Sequence, residues 1–281
     1  MEPETQDINN NDNVLQLPKM DESLDRLIVE LKEHKRQGEL LINEPSDEET
    51  GVTSTKIGGI NFYLPANKKW PENEETGAKL TPVVQINMQD FEDYNQKEKK
   101  GIFQLFIDFD YKLKDVVLTK NTIGIELRYL QDIAEKKARK IEISPDEVSA
   151  ASPSVIKRQK FLSLPSAKSQ FDLPQSHLFM KWAWDKQAKD GERIWSKYNY
   201  TEGLYIEDEL LSRFGGYAPW INKDQTPVCS VCGNRMDFLA AVGTEDTDFN
   251  FDEDGYIMIF ACNFMSKCGS LNNPSVIIQT Y

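Results

Sequence analysis

Cysteine is the residue type in this chain best suited to chemistry. All four cysteines fall in the last quarter, as Cys229-Ser230-Val231-Cys232-Gly233 and Cys262-Asn263-Phe264-Met265-Ser266-Lys267-Cys268-Gly269. The first pair has the Cys-x-x-Cys-Gly form of a zinc knuckle. Two intervening residues let one tight turn aim both sulfurs at a single ion, and the following glycine takes the positive φ that closes the turn. The second pair is looser, with five intervening residues, yet it too ends in Cys-Gly. Cys262 comes 30 positions after Cys232, room for a β-hairpin that returns the second pair beside the first. Four thiolates would fill a tetrahedral site and leave no position for water or substrate, so Cys229, Cys232, Cys262 and Cys268 are expected to hold a structural zinc. Four ordinary buried thiols, or two disulfides, are the other readings of the same residues. A redox role for Cys229 and Cys232 would need a helix starting at the motif to lower a thiol pKa, and no such start is legible.

The remaining chemistry-bearing residues form no site of their own. The two histidines, His34 and His177, stand apart from any serine-centred or cysteine-centred motif, so no nucleophile-and-base pair can be drawn. Asp108 and Asp110 flank Phe109 and are expected to face one side of a strand, as paired acid–base carboxylates can, with nothing else marking a site. The acidic run 245–255 fits a calcium loop only up to its glycine. With Asn250 as position one, position twelve is Ala261, where a bidentate Glu is required, so the run reads as a solvated hairpin turn.

Short apolar runs bounded by Gly, Pro, Asn and Asp must position these residues. The runs 83–88, 102–109, 116–119, 123–130 and 257–260 alternate or are β-branched and aromatic, as strands are. Residues 1–20, rich in Asn, Asp, Glu and Pro, read as a disordered acidic tail. Residues 21–50 read as a helix and linker, with Ser23 as N-cap and Leu24, Leu27, Ile28 and Leu31 at helical spacing continuing toward Leu40 and Leu41. A second helix is expected over 130–140, and the Ser/Pro/Lys-rich stretch 149–169 reads as a long connection. Trp182, Trp184, Trp195, Tyr198, Tyr200 and Tyr205 form a dense aromatic stretch, mostly core.

Within this organisation the chain echoes itself. Thr55-Lys56-Ile57-Gly58-Gly59-Ile60 matches Ser212-Arg213-Phe214-Gly215-Gly216-Tyr217 as hydroxyl, base, apolar, Gly-Gly, apolar. Each copy is followed by a proline and a tryptophan, Pro65 and Trp70, then Pro219 and Trp220, and by a strand beginning at Gly101 or Gly255. The expected fold is mainly β with α at its edges: two related β units, about 51–145 and 176–281, joined by a connection over about 146–175 and packed as one pseudo-symmetric body behind an N-terminal helix. Gly58, Gly59, Gly215 and Gly216 are expected to supply positive φ and a close backbone crossing in structural turns. A phosphate cradle would need a following Lys-Ser/Thr or a strand-turn-helix context, and neither is present.

Composition narrows the partners. A net charge of −13 repels phosphate backbones, against sequence-blind nucleic-acid binding. The local basic run Lys136, Lys137, Arg139, Lys140, Lys157, Arg158 and Lys160 reads as a solvated helix face and loop. No apolar run approaches the roughly 20 residues a membrane helix needs, and the acidic start lacks a signal's basic and apolar regions. A cytoplasmic location with reduced thiols is therefore expected.

Lys56-Ile57-Gly58-Gly59, Leu64-Pro65, Trp70-Pro71, Gln85-Ile86-Asn87, the strand from Gly101 and Gly215-Gly216-Tyr217-Ala218-Pro219-Trp220-Ile221 together resemble the YwqG-like bacterial family, domain of unknown function 1963, from about residue 54 to the C-terminus. The resemblance implies a duplicated all-β body with no established activity. That family is distantly similar to the eukaryotic programmed-cell-death-protein-two group, which implies a chaperone-like, protein-binding role and paired cysteines near the C-terminal strands. Asn222 departs from the family's usual Gln, and residues 1–50 have no counterpart in it. The expected function is a non-enzymatic protein-binding module, chaperone-like or adaptor-like, with Trp70, Tyr217 and Trp220 as candidate partner-binding residues. An immunity or antitoxin protein neutralising a basic toxin is the first alternative. An enzyme of unrecognised type, using Asp108, Asp110 or the acidic run, is the second.

Overall fold

The computed structural model describes residues 35–45, 50–91, 100–110, 117–119, 122–131, 143–148, 150–152, 154–163, 210–245, 247–249, 253–262 and 274–281, with the single positions 133, 138 and 141. They form eleven strands: β1 (Arg36–Pro45), β2 (Lys56–Ile57), β3 (Thr81–Asn87), β4 (Ile102–Ile107), β5 (Val117–Thr119), β6 (Ile125–Leu130), β7 (Ser154–Ser163), β8 (Arg213–Gly215), β9 (Asp237–Gly243), β10 (Gly255–Ala261) and β11 (Ser275–Thr280). One sheet has seven strands in the order β5-β11-β10-β9-β8-β1-β7, the other four in the order β2-β3-β4-β6. Every pairing is antiparallel.

The central strands β3, β4 and β10 are buried along their whole length, which is why their sequences read as continuous apolar runs. The period of two still sorts their side chains. Phe103, Leu105 and Ile107 of β4 join Ile257 and Ile259 of β10 in one core between the sheets. Phe106 turns to the outer face of its sheet, under Phe62, Trp70 and Leu80. Tyr256, Met258 and Phe260 do the same on the other sheet, under Ala218, Trp220, Ile221, Cys229 and Met236. Each sheet thus has its own loop lid on the outside and a shared core within.

Both runs of hydroxyl, base, apolar and Gly-Gly have the same physical basis. Thr55 Oγ1 accepts the amide of Asn87 at 3.0 Å, at the end of β3, and Ser212 Oγ accepts that of Gly243 at 3.1 Å, at the end of β9. The base is buried in each copy. Lys56 Nζ donates to the carbonyls of Gly51 (2.7 Å) and Asn61 (2.8 Å), and burial pulls its pKa down to about 8. Arg213 Nη2 donates to the Tyr256 hydroxyl at 2.9 Å, whose own pKa burial raises. All four glycines have φ between 66° and 75°. A Cβ on Gly216 would lie 2.6 Å from Ser163 Cβ, whereas one on Gly77, with φ of 72°, would meet nothing within 4 Å. Gly77→Ala is therefore expected to cost only the left-handed backbone term, about 1–2 kcal/mol. Gly216→Ala adds a steric clash and should cost clearly more, read as a lower urea midpoint. Equal losses in the two variants would contradict the close-approach reading of that turn.

Three expectations are corrected. Leu40 and Leu41, read as the end of an N-terminal helix, lie in β1, while the earlier part of that reading, 23–34, falls outside the described residues. Gly38 lies against the Phe161 ring, with room for no Cβ, and β1 gains backbone partners on both edges, which outweighs leucine spacing. The stretch 149–169, read as a connection, contains the ten-residue strand β7. Lys157, Arg158 and Lys160 accordingly stand on a strand rather than a loop, with Lys157 3.5 Å from Glu44 and Arg158 3.6 Å from Glu39. The helix expected over 130–140 is not seen at the residues described there: Leu130 ends β6, and Ala138 forms an isolated bridge with Pro65. Among the described residues no helix is long and apolar enough to cross a membrane.

Candidate metal centre

The knuckle is a tight turn closed by its own backbone. Val228 and Arg235 form a bridge, Cys229 N–H donates to Asn234 O at 2.8 Å, and Gly233 N–H donates to Cys229 O at 2.9 Å. Gly233 has φ of 71°, as a closing glycine requires. Cys262 follows the last residue of β10. The hairpin of β9 and β10 returns it to the knuckle, as the spacing predicts. The three sulfurs of Cys229, Cys232 and Cys262 lie within 4.8 Å of one another, and Cys232 Sγ is 3.5 Å from Cys262 Sγ. Tetrahedral zinc with bonds near 2.3 Å would hold its sulfurs about 3.8 Å apart, so the set fits such an ion with little movement. Asn234 Nδ2 donates to Cys232 Sγ at 3.5 Å, the kind of outer contact that orients a ligand sulfur. Cys229 and Cys262 are buried and Cys232 is half-buried. These three cysteines could hold a metal ion; Cys268 lies outside the described residues.

The same place in the four-stranded sheet is built from different side chains, a correspondence the sequence reading missed. Glu72 and Lys79 form the bridge, Asn73 N–H donates to Ala78 O at 2.7 Å, and Gly77 N–H donates to Asn73 O at 2.8 Å. Leu80 N–H donates to Pro71 O as Met236 N–H does to Pro227 O, both at 2.9 Å. Position for position, Asn73 stands for Cys229 and Thr76 for Cys232. Asp108 follows β4 as Cys262 follows β10, and Asn73 Nδ2 donates to Asp108 Oδ2 at 2.6 Å. One turn is tied to its strand end by a buried hydrogen bond, while the other presents three thiols there. The signal was present as Pro71-Glu-Asn-Glu-Glu-Thr-Gly77 beside Pro227-Val-Cys-Ser-Val-Cys-Gly233.

Other residues singled out in the sequence fall as follows. Asp108 Oδ1 also accepts the Asp110 amide at 3.1 Å, so this carboxylate is engaged in holding the chain rather than paired with that of Asp110 on a strand face. Glu245 accepts the Leu210 amide at 2.8 Å and Asp254 the Thr244 hydroxyl at 3.4 Å, which are turn contacts; Asn250 and Asp252 lie outside the described residues. His34, His177 and the aromatic stretch 182–205 also lie outside them. Trp70, Tyr217 and Trp220, read as candidate partner-binding residues, are all buried. Trp70 donates its Nε1–H to Leu80 O at 2.9 Å and packs edge-on against Phe106. Trp220 stacks on Phe260 with centroids 5.5 Å apart. Trp220 N–H donates to Ala218 O as Phe62 N–H does to Ile60 O, so the residue placed like Trp220 in the other lid is Phe62, which packs on Phe106 at 5.5 Å. The large hydrophobics left exposed among the described residues are Leu162, Val228, Val231 and Tyr281, and two of the four sit on the knuckle.

Residues 55–263 match the family described as Domain of unknown function (DUF1963). Among curated proteins, none matches the chain.

Proposed function

We propose that this chain, which belongs to the DUF1963 family, is a non-enzymatic protein-binding module, chaperone-like or adaptor-like, stabilised by a structural zinc. In this reading Cys229, Cys232 and Cys262 supply three ligands and Cys268 the fourth, in a cytoplasmic setting that keeps the thiols reduced. The observation that carries it is the exposure of Val228 (59 %) and Val231 (58 %) on either side of Cys229. A turn that puts two β-branched apolar side chains into water while its backbone is fixed from below is a ready contact point for another protein. The Asn73–Asp108 tie supports a structural task for the ion, because a direct side-chain hydrogen bond joins turn to strand end at the matching place.

A duplication is part of the same reading. Strand orders β2-β3-β4-β6 and β8-β9-β10-β11 run in parallel. Each unit also has a register shift at the same point, between Pro82 and Val84 on β3 and at Phe238 to Ala240 opposite Ile259 and Phe260.

The test is affinity capture from native cells with the wild type and with Val231→Asp. A partner is expected on the wild type and lost on the variant, with thermal midpoints unchanged and capture persisting at high salt. Equal capture by both proteins would end this reading. Capture that vanishes with salt alone would favour the immunity alternative, in which the acidic surface meets a basic partner.

A further inference from the structure

We propose that Cys232 and Cys262 are a peroxide-responsive thiol pair whose disulfide discharges the metal and so regulates the knuckle. This rests in part on the reading of the thiols as a metal site. The two sulfurs come from different segments, the knuckle turn and the end of β10, and stand 3.5 Å apart. Their surroundings differ. Cys262 is 2 % exposed, while Cys232 is half-buried between Val231, which is 58 % exposed, and Gly233, against which a Cβ would meet nothing within 4 Å. A small oxidant therefore reaches Cys232 first, and the buried sulfur is already at attacking distance from it. Cys229, 1 % exposed, shares with Cys262 the apolar cluster under Trp220 and Met236, and it is Cys262 whose sulfur lies 3.5 Å from that of Cys232.

The chemistry balances with a hydroperoxide as oxidant. The Cys232 sulfur attacks one peroxide oxygen, the O–O bond breaks, water or an alcohol leaves, and Cys232 becomes a sulfenic acid. The Cys262 sulfur then attacks Cys232 Sγ, the S–O bond breaks, and the sulfenic oxygen leaves as water, taking the Cys262 thiol proton, as the S–S bond forms. Two thiols are oxidised by two electrons and one peroxide is reduced. The product removes two of the metal's ligands at once. It also substitutes a covalent tie between turn and strand end, so the fold survives while the ion does not.

The experiment treats the full chain, stripped of metal or loaded with zinc, with equimolar hydrogen peroxide. It maps disulfides by mass spectrometry without reduction and follows zinc release with a chromogenic chelator. In the stripped chain free thiols should fall by two, with the Cys232 peptide joined to the Cys262 peptide. The loaded chain should release one zinc per disulfide formed. Cys232→Ser should leave Cys262 reduced. A disulfide joining Cys232 to Cys229 or Cys268, or oxidation stopping at a sulfinic acid on Cys232, would overturn the proposal. A chain that binds no zinc yet forms the Cys232–Cys262 bond would sink the metal reading and the discharge step with it, leaving only the thiol pair; a chain that binds zinc and forms no such bond would sink this proposal and leave the metal reading standing.

Discussion

Stripping zinc from the purified protein with a strong chelator is expected to lower its thermal midpoint by roughly 10 °C. An ion that binds only the folded chain, at about a thousand times its dissociation constant, stabilises by about 4 kcal/mol. For a chain of this size each kcal/mol shifts the midpoint by roughly 2–4 °C. The turn is also held by its own backbone hydrogen bonds, and the core between the sheets does not include the thiols, so the loss should stop short of global unfolding. Cys262→Ser should reproduce most of the shift and abolish the response to chelator. The matching site supplies a sharper arm. Changing Cys229→Asn, Cys232→Thr and Cys262→Asp together installs the side chains that hold the turn of residues 73–77, where Asn73 and Asp108 meet at 2.6 Å. That variant should bind no zinc and yet melt above the triple serine variant. A chelator that leaves the wild-type midpoint unmoved, with no zinc found by elemental analysis, would remove the structural ion from the account.

The mainly β character, five of the eleven strands and the form of the knuckle were legible in the sequence because each is a local pattern. Strands β3, β4, β6 and β10 fall on runs of apolar, β-branched and aromatic residues, and Cys-x-x-Cys-Gly needs only its own turn. What was not legible depends on partners distant in sequence. Leu40 and Leu41 of β1 follow a helical spacing that begins at Leu24, and only pairing with β7, more than 100 residues later, and with β8 makes this segment a strand. β7 hides because Lys157 to Lys160 are all exposed, so it lacks the alternation that marks a half-buried strand. The match of Asn73, Thr76 and Asp108 to three cysteines was invisible for a chemical reason. A buried amide–carboxylate bond and a thiol cluster can occupy one place, yet no similarity of residue type connects them. The two tryptophans misled in the opposite direction, since Trp70 and Trp220 look equivalent by type while one meets Phe106 edge-on and the other stacks on Phe260.

Trp220 gives the second large expected effect, and its sign separates two roles. Its ring is 5 % exposed and stacked on Phe260, in a cluster with Met258, Met236 and the ligand candidates Cys229 and Cys262. Truncating a buried tryptophan removes its transfer free energy and leaves a cavity, together about 3–5 kcal/mol. Trp220→Ala should therefore lower the urea midpoint markedly at an unchanged slope. The thiols share its cluster, so the same variant should also weaken zinc retention against a competing chelator. Trp220→Phe copies Phe62, the residue that fills the matching position over Phe106, and should recover most of the loss. A partner-binding tryptophan would behave otherwise: its truncation would abolish capture of the partner while leaving the denaturation curve in place. Because this ring seals the outer face of β10 beside the knuckle, stability and metal retention should fall together. An alanine variant as stable as the wild type would mean that the loop carrying Trp220 does not cover the sheet in solution.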